Sequence, residues 1–285
     1  MIGIIIKALS GFYYVKTESG VVTCRGRGSL RNKKISPKVG DRVKITLEGE
    51  CGAVDEVLPR KNELSRPPVA NIDLLGIVVS TVAPSPNFAV IDEIIALAEI
   101  RGIEPFIAVS KTDIEEAEIL KETYVKAGFK VFDAVEQFEE IKAFLGGKVC
   151  AFTGNTGVGK STLLNRINPE FQIETGEISK KLGRGRHTTR AVEFYSVDGG
   201  GLVADTPGFS LNQDDDLPIL KEDLENCFRE FGKYIGSCRF GGCSHTSEKG
   251  CAVIEAVGKG DIPEVRFESY KALYSKVKDK KKWQM

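Results

Sequence analysis

The chain has no apolar run of the roughly 18 residues that a membrane helix needs. Its opening, MIGIIIKALS, has too short an apolar core and no basic start, which argues against a signal peptide. A cytoplasmic, reducing compartment is therefore expected. Net charge is also missing: 40 basic and 40 acidic residues cancel, so attraction to a polyanion must be local. Histidine is scarce, with two residues in 285, and no segment repeats. Seven cysteines in a reducing compartment are read as free thiols or metal ligands rather than disulfides. At 41% hydrophobic and 28% charged, the chain has the composition of an ordinary soluble globular protein.

Charge is unevenly spread. Residues 1–66 carry 13 Lys/Arg against 7 Asp/Glu. Eight of those cations (Arg25, Arg27, Arg31, Lys33, Lys34, Lys38, Arg42 and Lys44) face only Asp41 within residues 25–44. Such a patch suits a polyanionic partner, though a solvated loop has the same composition. The same region shows five short apolar or alternating runs, 2–7, 11–16, 20–24, 41–47 and 51–58. These predict a small all-β barrel, for which a five-stranded oligonucleotide-binding barrel fits the count. RPPVAN, 66–71, reads as a linker. Beyond it, strand-like runs at 72–80, 105–110, 129–132 and 148–153 alternate with helical patterns near 89–101, 114–127 and 136–145. That alternation predicts an α/β domain with a parallel sheet. From residue 217 the pattern is helical, interrupted by a Cys-rich stretch. Three modules are expected: 1–66, 67–215 and 216–285.

GNTGVGKS, 154–161, follows the run 148–153 and opens a helix near 160–167, the context of a phosphate-binding loop. Glycines let backbone amides turn inward around a phosphate, and the helix N-terminus adds partial positive charge. The expected contacts are Gly154, Asn155, Thr156, Gly157, Val158, Gly159, Lys160, Ser161 and Thr162. Lys160 would reach the outer phosphates and the Ser161 hydroxyl would bind Mg²⁺. Asp205, in DTPG at a strand end, is the expected second Mg²⁺ contact.

SKTD, 110–113, follows the apolar strand 105–109 and has the pattern of a guanine-reading loop. Asp113 can accept from the ring N–H and exocyclic amine of guanine. Adenine offers neither donor and would leave the carboxylate unpaired. The Lys111 stem can lie over the base, beside Ser110 and Thr112. The bland alternative makes Thr112 or Asp113 an N-cap for the helical pattern that follows. Asp133-Ala134 then stands where GTPases place a pair that contacts guanine O6 through a backbone amide, here the Ala134 amide. The base loop thus precedes the phosphate loop, as it does when a closed sheet has been rewired by circular permutation.

CRFGGCSHTSEKGC holds Cys238, Cys243, His245 and Cys251 within 14 residues. Three thiolates and an imidazole suit a closed, structural Zn²⁺ site, with free or redox cysteines as the alternative. Cys24, Cys51, Cys150 and Cys227 are scattered and read as buried apolar residues. KKLGRGRHTTR, 180–190, lies where the first switch loop belongs. Thr188 and Thr189 are both candidates for the Mg²⁺ shell. The position after DTPG is Phe209, and a phenyl ring cannot orient water. Slow hydrolysis by the protein alone follows, with His187 or a partner completing the site.

The motif order, GNTGVGKS, DTPG, GRHTTR, the N-terminal barrel and the Cys/His cluster together resemble the ribosome small subunit-dependent GTPase A (RsgA) family of bacterial circularly permuted GTPases. Ser110 and Asp133 depart from that family's commoner Asn and Ser. The resemblance implies three parts: an oligonucleotide-binding barrel, a permuted GTPase domain and a helical zinc domain. It implies hydrolysis of GTP to GDP with Mg²⁺, one Zn²⁺, and a monomer acting on the small ribosomal subunit and its 16S rRNA late in maturation. The alternatives are an ATPase and a non-hydrolysing, nucleotide-dependent RNA-binding scaffold.

Overall fold

The computed structural model describes residues 1–28, 30, 35–49, 51–64, 68–171, 192–205 and 219–280. Five strands open the chain: β1 (Ile2–Leu9), β2 (Phe12–Thr17), β3 (Gly20–Gly26), β4 (Arg42–Glu48) and β5 (Cys51–Val57). They close into a barrel in the order β1-β2-β3-β5-β4, with β4 returning antiparallel to β1 through Ile2↔Lys44. The β3–β5 pair is parallel and sets Cys24 opposite Gly52. A Cβ on Gly52 would stand 2.6 Å from the Cys24 sulfur, so this position admits only glycine without rearrangement. Ile5, Val15, Cys24, Val43 and Val54 fill the interior and are fully buried.

The basic stretch is partly matched by acids that are distant in sequence. Arg27 pairs with Asp55 and Glu48, Lys44 with Glu56 at 2.6 Å, and Lys38 with Glu63 at 3.0 Å. Arg25 lies over the Phe12 ring, 4.7 Å from its centroid. The local positive field is therefore weaker than the charge count implied. Arg31, Lys33 and Lys34 lie outside the described residues.

The expected linker proves partly folded. Val69 and Ala70 are fully buried and form β7 (Val69–Ala70) against β6 (Glu63–Leu64). The Ala70 amide donates to Val39 O at 2.9 Å and the Asn71 side chain donates to Gly40 O at 2.9 Å, which docks this hairpin on the barrel end. The prolines signal a break in regular structure, but apolar burial just after them wins locally.

The central sheet comprises β8 (Leu74–Ser80), β9 (Glu104–Ser110), β10 (Lys130–Asp133), β11 (Val149–Thr153), β12 (Phe194–Val197) and β13 (Gly201–Asp205). Their order is β10-β9-β8-β11-β13-β12. β10 runs parallel to β9 and β11 to β13, while β12 is antiparallel to β13. All seven residues of β8 are buried, as expected for a strand covered on both faces. Helices α1 (Phe88–Ile100), α2 (Glu118–Lys126), α3 (Phe138–Leu145) and α4 (Lys160–Ile167) connect the strands, and α5 (Lys221–Leu224), α6 (Ala252–Gly258) and α7 (Glu264–Val277) follow.

Packing groups residues 1–76 with 138–210, and 77–137 with 211–285. Within the first unit the barrel reaches the β12 segment, through Lys7–Glu193 at 2.7 Å and Lys16 to Ser196 at 2.8 Å. Within the second, Ala96 of α1 shares one apolar core with Leu224, Phe228, Phe231, Val253, Phe267 and Tyr270. A buried polar hub accompanies that core. Arg266, wholly inaccessible, donates to Asp92 at 2.7 Å and to Glu230 at 2.7 and 3.1 Å, while the Tyr124 hydroxyl donates to Asp92 at 2.9 Å. Burial opposes the Arg266 charge, but the two carboxylates more than offset it and raise its pKa.

Candidate functional site

The phosphate-loop sequence folds as a strand, a glycine turn and a helix. β11 ends at Thr153, and Gly154, Gly157 and Gly159 take φ of 154°, 86° and 91°. Side chains rarely adopt such angles, so the glycines are what allow this turn. α4 begins at Lys160, and its N-cap, Gly159, contributes no side-chain bond to the first turn. A helix N-terminus at this point brings leading amides and partial positive charge to the loop, as an anion site requires. Ser161 is the second residue of α4. In the parallel register Asp205 stands opposite Phe152, which puts the DTPG aspartate at the same strand end as the phosphate loop.

The base loop is built by its neighbours. The Ser110 hydroxyl, buried, donates to Val79 O at 3.3 Å. Thr81 donates through its hydroxyl to Lys111 O at 2.8 Å and through its amide to Ser110 O at 3.2 Å. Lys111 takes φ of 60°, and its ammonium donates to Ala83 O at 2.5 Å. Thr112 donates to Asp133 at 2.7 Å, and Asp113 is exposed. The N-cap alternative does not hold. α2 starts only at Glu118, with Ala117 as its N-cap, and the amides of Ile114 and Glu115 turn back to Lys111 O. The Ala134 amide donates to Val109 O at 2.7 Å. A contact between that amide and a base oxygen would have to share this sheet bond.

The four cysteine and histidine donors converge within 4.8 Å of one another. Cys238 Sγ lies 3.8 Å from Cys251 Sγ, and His245 Nδ1 lies 3.5 and 3.3 Å from those two sulfurs. A tetrahedral Zn²⁺ with metal–sulfur bonds of about 2.3 Å has edges of roughly 3.8 Å between sulfurs and 3.6 Å between sulfur and nitrogen. The residues fit the ion. Burial pushes the Cys243 thiol up to about 12, so three thiolates here need a cation among them. His245 Nε2 lies 2.9 Å from Glu225 Oε2. With Nδ1 facing the thiols, Nε2 carries the proton and donates to that carboxylate. The Ala252 amide donates to Cys238 Sγ at 3.4 Å, and Phe231 and Tyr270 pack about the imidazole. Sequence reading missed Glu225: it precedes His245 by 20 residues, and no spacing rule connects them. Among the other cysteines, Cys24, Cys150 and Cys227 are buried as expected, but Cys51 is exposed.

His187, Thr188, Thr189, Phe209 and the basic residues of 180–190 lie outside the described residues, as do Thr206, Pro207 and Gly208. A family model for the RsgA GTPase matches residues 57–213, and one for the RsgA N-terminal domain matches residues 2–54. The chain belongs to the RsgA GTPase family. It is similar over its length to curated members. The small ribosomal subunit biogenesis GTPase RsgA of Caldanaerobacter subterraneus subsp. tengcongensis is 47% identical over 288 residues, covering 98% of this chain and 97% of the relative. The protein of that name in Halalkalibacterium halodurans is 45% identical over 291 residues, covering 98% of each chain. Among solved structures, YloQ, a circularly permuted GTPase, superposes with a TM-score of 0.82 at 38% identity, covering 98% of this chain and 96% of that one. YjeQ from Thermotoga maritima gives 0.81 at 33%, covering 98% and 99%. The order of base loop before phosphate loop is therefore circular permutation, as the sequence suggested. As an RsgA GTPase the protein hydrolyses GTP with Mg²⁺, and its Cys₃His cluster suits one zinc. The ATPase and the non-hydrolysing scaffold are set aside.

Proposed function

We propose that this RsgA-family protein acts in late maturation of the small ribosomal subunit, coupling GTP hydrolysis to its hold on 16S rRNA. The phosphate loop at the end of β11, with Asp205 in register on the parallel strand β13, is the observation that carries the reading. Its amides and Lys160 bind the phosphates, while Ser161 and Asp205 hold Mg²⁺. Bound Mg²⁺ neutralises charge that develops on the phosphates during transfer. Asp113 selects guanine, Lys111 lies along the base, and Thr188 or Thr189 with His187 complete the switch. Residues 1–66 supply the RNA-binding barrel, 67–215 the GTPase domain and 216–285 the zinc domain, in a monomer that works in the cytoplasm. The names of the curated relatives supply the subunit as partner. The barrel supports RNA as the ligand, because its strand order is that of oligonucleotide-binding barrels.

Phosphate release from GTP, with and without purified small subunits, tests the proposal. Slow release alone and a large increase with subunits are expected, with Lys160→Ala silent in both. Equal rates in the two conditions would remove the subunit as the activating partner.

A further inference from the structure

Asp133 is a carboxylate in an unusual place. It ends β10 with only 3% of its surface exposed, yet it neither touches a metal cluster nor lies in the phosphate loop. Four donors converge on it. Its Oδ1 accepts from the Thr112 hydroxyl at 2.7 Å, the Val135 amide at 2.9 Å and the Glu136 amide at 3.2 Å. Its Oδ2 accepts from the Lys121 ammonium at 3.2 Å. Its own amide donates to Gln137 Oε1 at 2.9 Å. Burial alone would raise its pKa, but these donors hold it below the usual carboxylate range.

Three segments therefore meet on one ionised side chain: the base loop through Thr112, helix α2 through Lys121, and the turn after β10. The rest of the base loop is tied elsewhere. Ser110 donates to Val79 O, Thr81 holds Lys111 O, and the Lys111 ammonium reaches Ala83 O. Those ties fix residues 110 and 111. Asp113 itself is exposed, and the tie next to it in the chain runs from Thr112 to Asp133.

We propose that Asp133 is a positioning residue for guanine selection, holding Thr112 so that the adjacent Asp113 carboxylate meets the base edge. The inference rests on the reading of Asp113 as the guanine acceptor. Specificity then depends on a second carboxylate that never touches the ligand. A displacement of the acceptor by 1 Å is enough to lose most of a paired hydrogen bond.

The test uses the full-length, zinc-loaded protein stripped of nucleotide. GDP and ADP affinities are measured by displacement of a fluorescent GDP. The variants are Asp133→Leu, Asp133→Asn, Thr112→Val and Asp113→Asn, and the melting temperature of each is recorded. Asp133→Leu and Thr112→Val each weaken GDP by about tenfold, the scale of one charge-assisted bond, and leave ADP unchanged. The pair combined costs no more than Asp133→Leu alone, because the Thr112–Asp133 bond that Thr112→Val removes is already lost in Asp133→Leu. Asp133→Asn retains an acceptor oxygen and keeps most of the GDP preference. Thr112→Val removes a single hydroxyl, so it decides the matter if Asp133→Leu does not fold. Unchanged GDP affinity in Thr112→Val overturns the proposal, as does an equal loss for GDP and ADP. If Asp113→Asn leaves the purine preference intact, the guanine reading itself falls, and the role of Asp133 falls with it.

Discussion

Replacing Glu225 with alanine should loosen zinc without removing a ligand. In the structure His245 presents Nδ1 to Cys238 and Cys251 and holds Nε2 at 2.9 Å from Glu225. The carboxylate fixes the tautomer in which Nδ1 has the free lone pair, and it makes that nitrogen a better donor to the metal. Loss of such an outer partner typically weakens metal binding 10–100-fold, or about 1.4–2.8 kcal/mol. The Glu225 side chain is 29% exposed, so water can replace part of the lost acceptor. The expected loss therefore sits at the lower end, about tenfold. Glu225→Gln keeps an acceptor oxygen without the charge and should lose less. Cys238→Ser removes a thiolate and should lose far more than either. Competition against a chromophoric chelator at fixed neutral pH measures all three. Zinc affinity unchanged in Glu225→Ala would refute the argument. So would a loss equal to that of Cys238→Ser, which would mean that the alanine variant had collapsed the cluster instead of retuning one ligand.

Arg266→Met should destabilise the zinc-loaded protein by about 3–5 kcal/mol in urea unfolding, because Asp92 and Glu230 are left buried and unpaired. Replacing all three by apolar residues of similar size should recover much of that loss, since the desolvation of the carboxylates is then removed too. The contribution of Asp133 to stability should depend on acidity. Its folded pKa is lowered, so the contribution is complete above the unfolded value near 3.9 and fades as pH falls through the folded one. The gap in unfolding midpoint between wild type and Asp133→Asn should therefore be widest near neutrality and should close below about pH 4. A gap of constant size from pH 7 to pH 3 would contradict the assignment.

Much of this was legible in the sequence because local signals agreed with tertiary needs. The barrel strands alternate apolar and polar residues, and the observed spans begin within a residue or so of the expected ones. The phosphate loop could be read because a strand, three glycines and a helix start must occur in that order for amides to surround an anion. The zinc cluster showed because its four donors fall within 14 residues. What stayed hidden is held together by contacts between distant residues. Arg266 carries no motif, yet it meets Asp92, 174 positions away. Glu225 carries no motif. The basic run read as a polyanion-binding patch or a solvated loop, and its partners were hidden because Asp55, Glu48, Glu56 and Glu63 lie outside it in sequence and beside it in space. Val69 and Ala70 were masked by the prolines that precede them.

Ser110 and Asp133 take complementary places in the geometry. A serine hydroxyl has one proton to donate, and here it goes to Val79 O. That bond ties the first residue of the loop to the neighbouring strand. A carboxylate at position 133 is an acceptor only, and an acceptor needs donors if it is to stay buried and ionised. Thr112, Val135, Glu136 and Lys121 supply them. The third residue of the loop, Thr112, is thus braced by a charged group. Charge-assisted bonds are roughly twice as strong as neutral ones, so this brace is a strong one. Ser110→Asn alone, with Asp133 in place, should then change guanine affinity little. Asp133→Ser alone should weaken it, and the two changes together should recover it. That pattern of non-additivity in the displacement assay separates linked compensation from two unrelated substitutions, which would simply add.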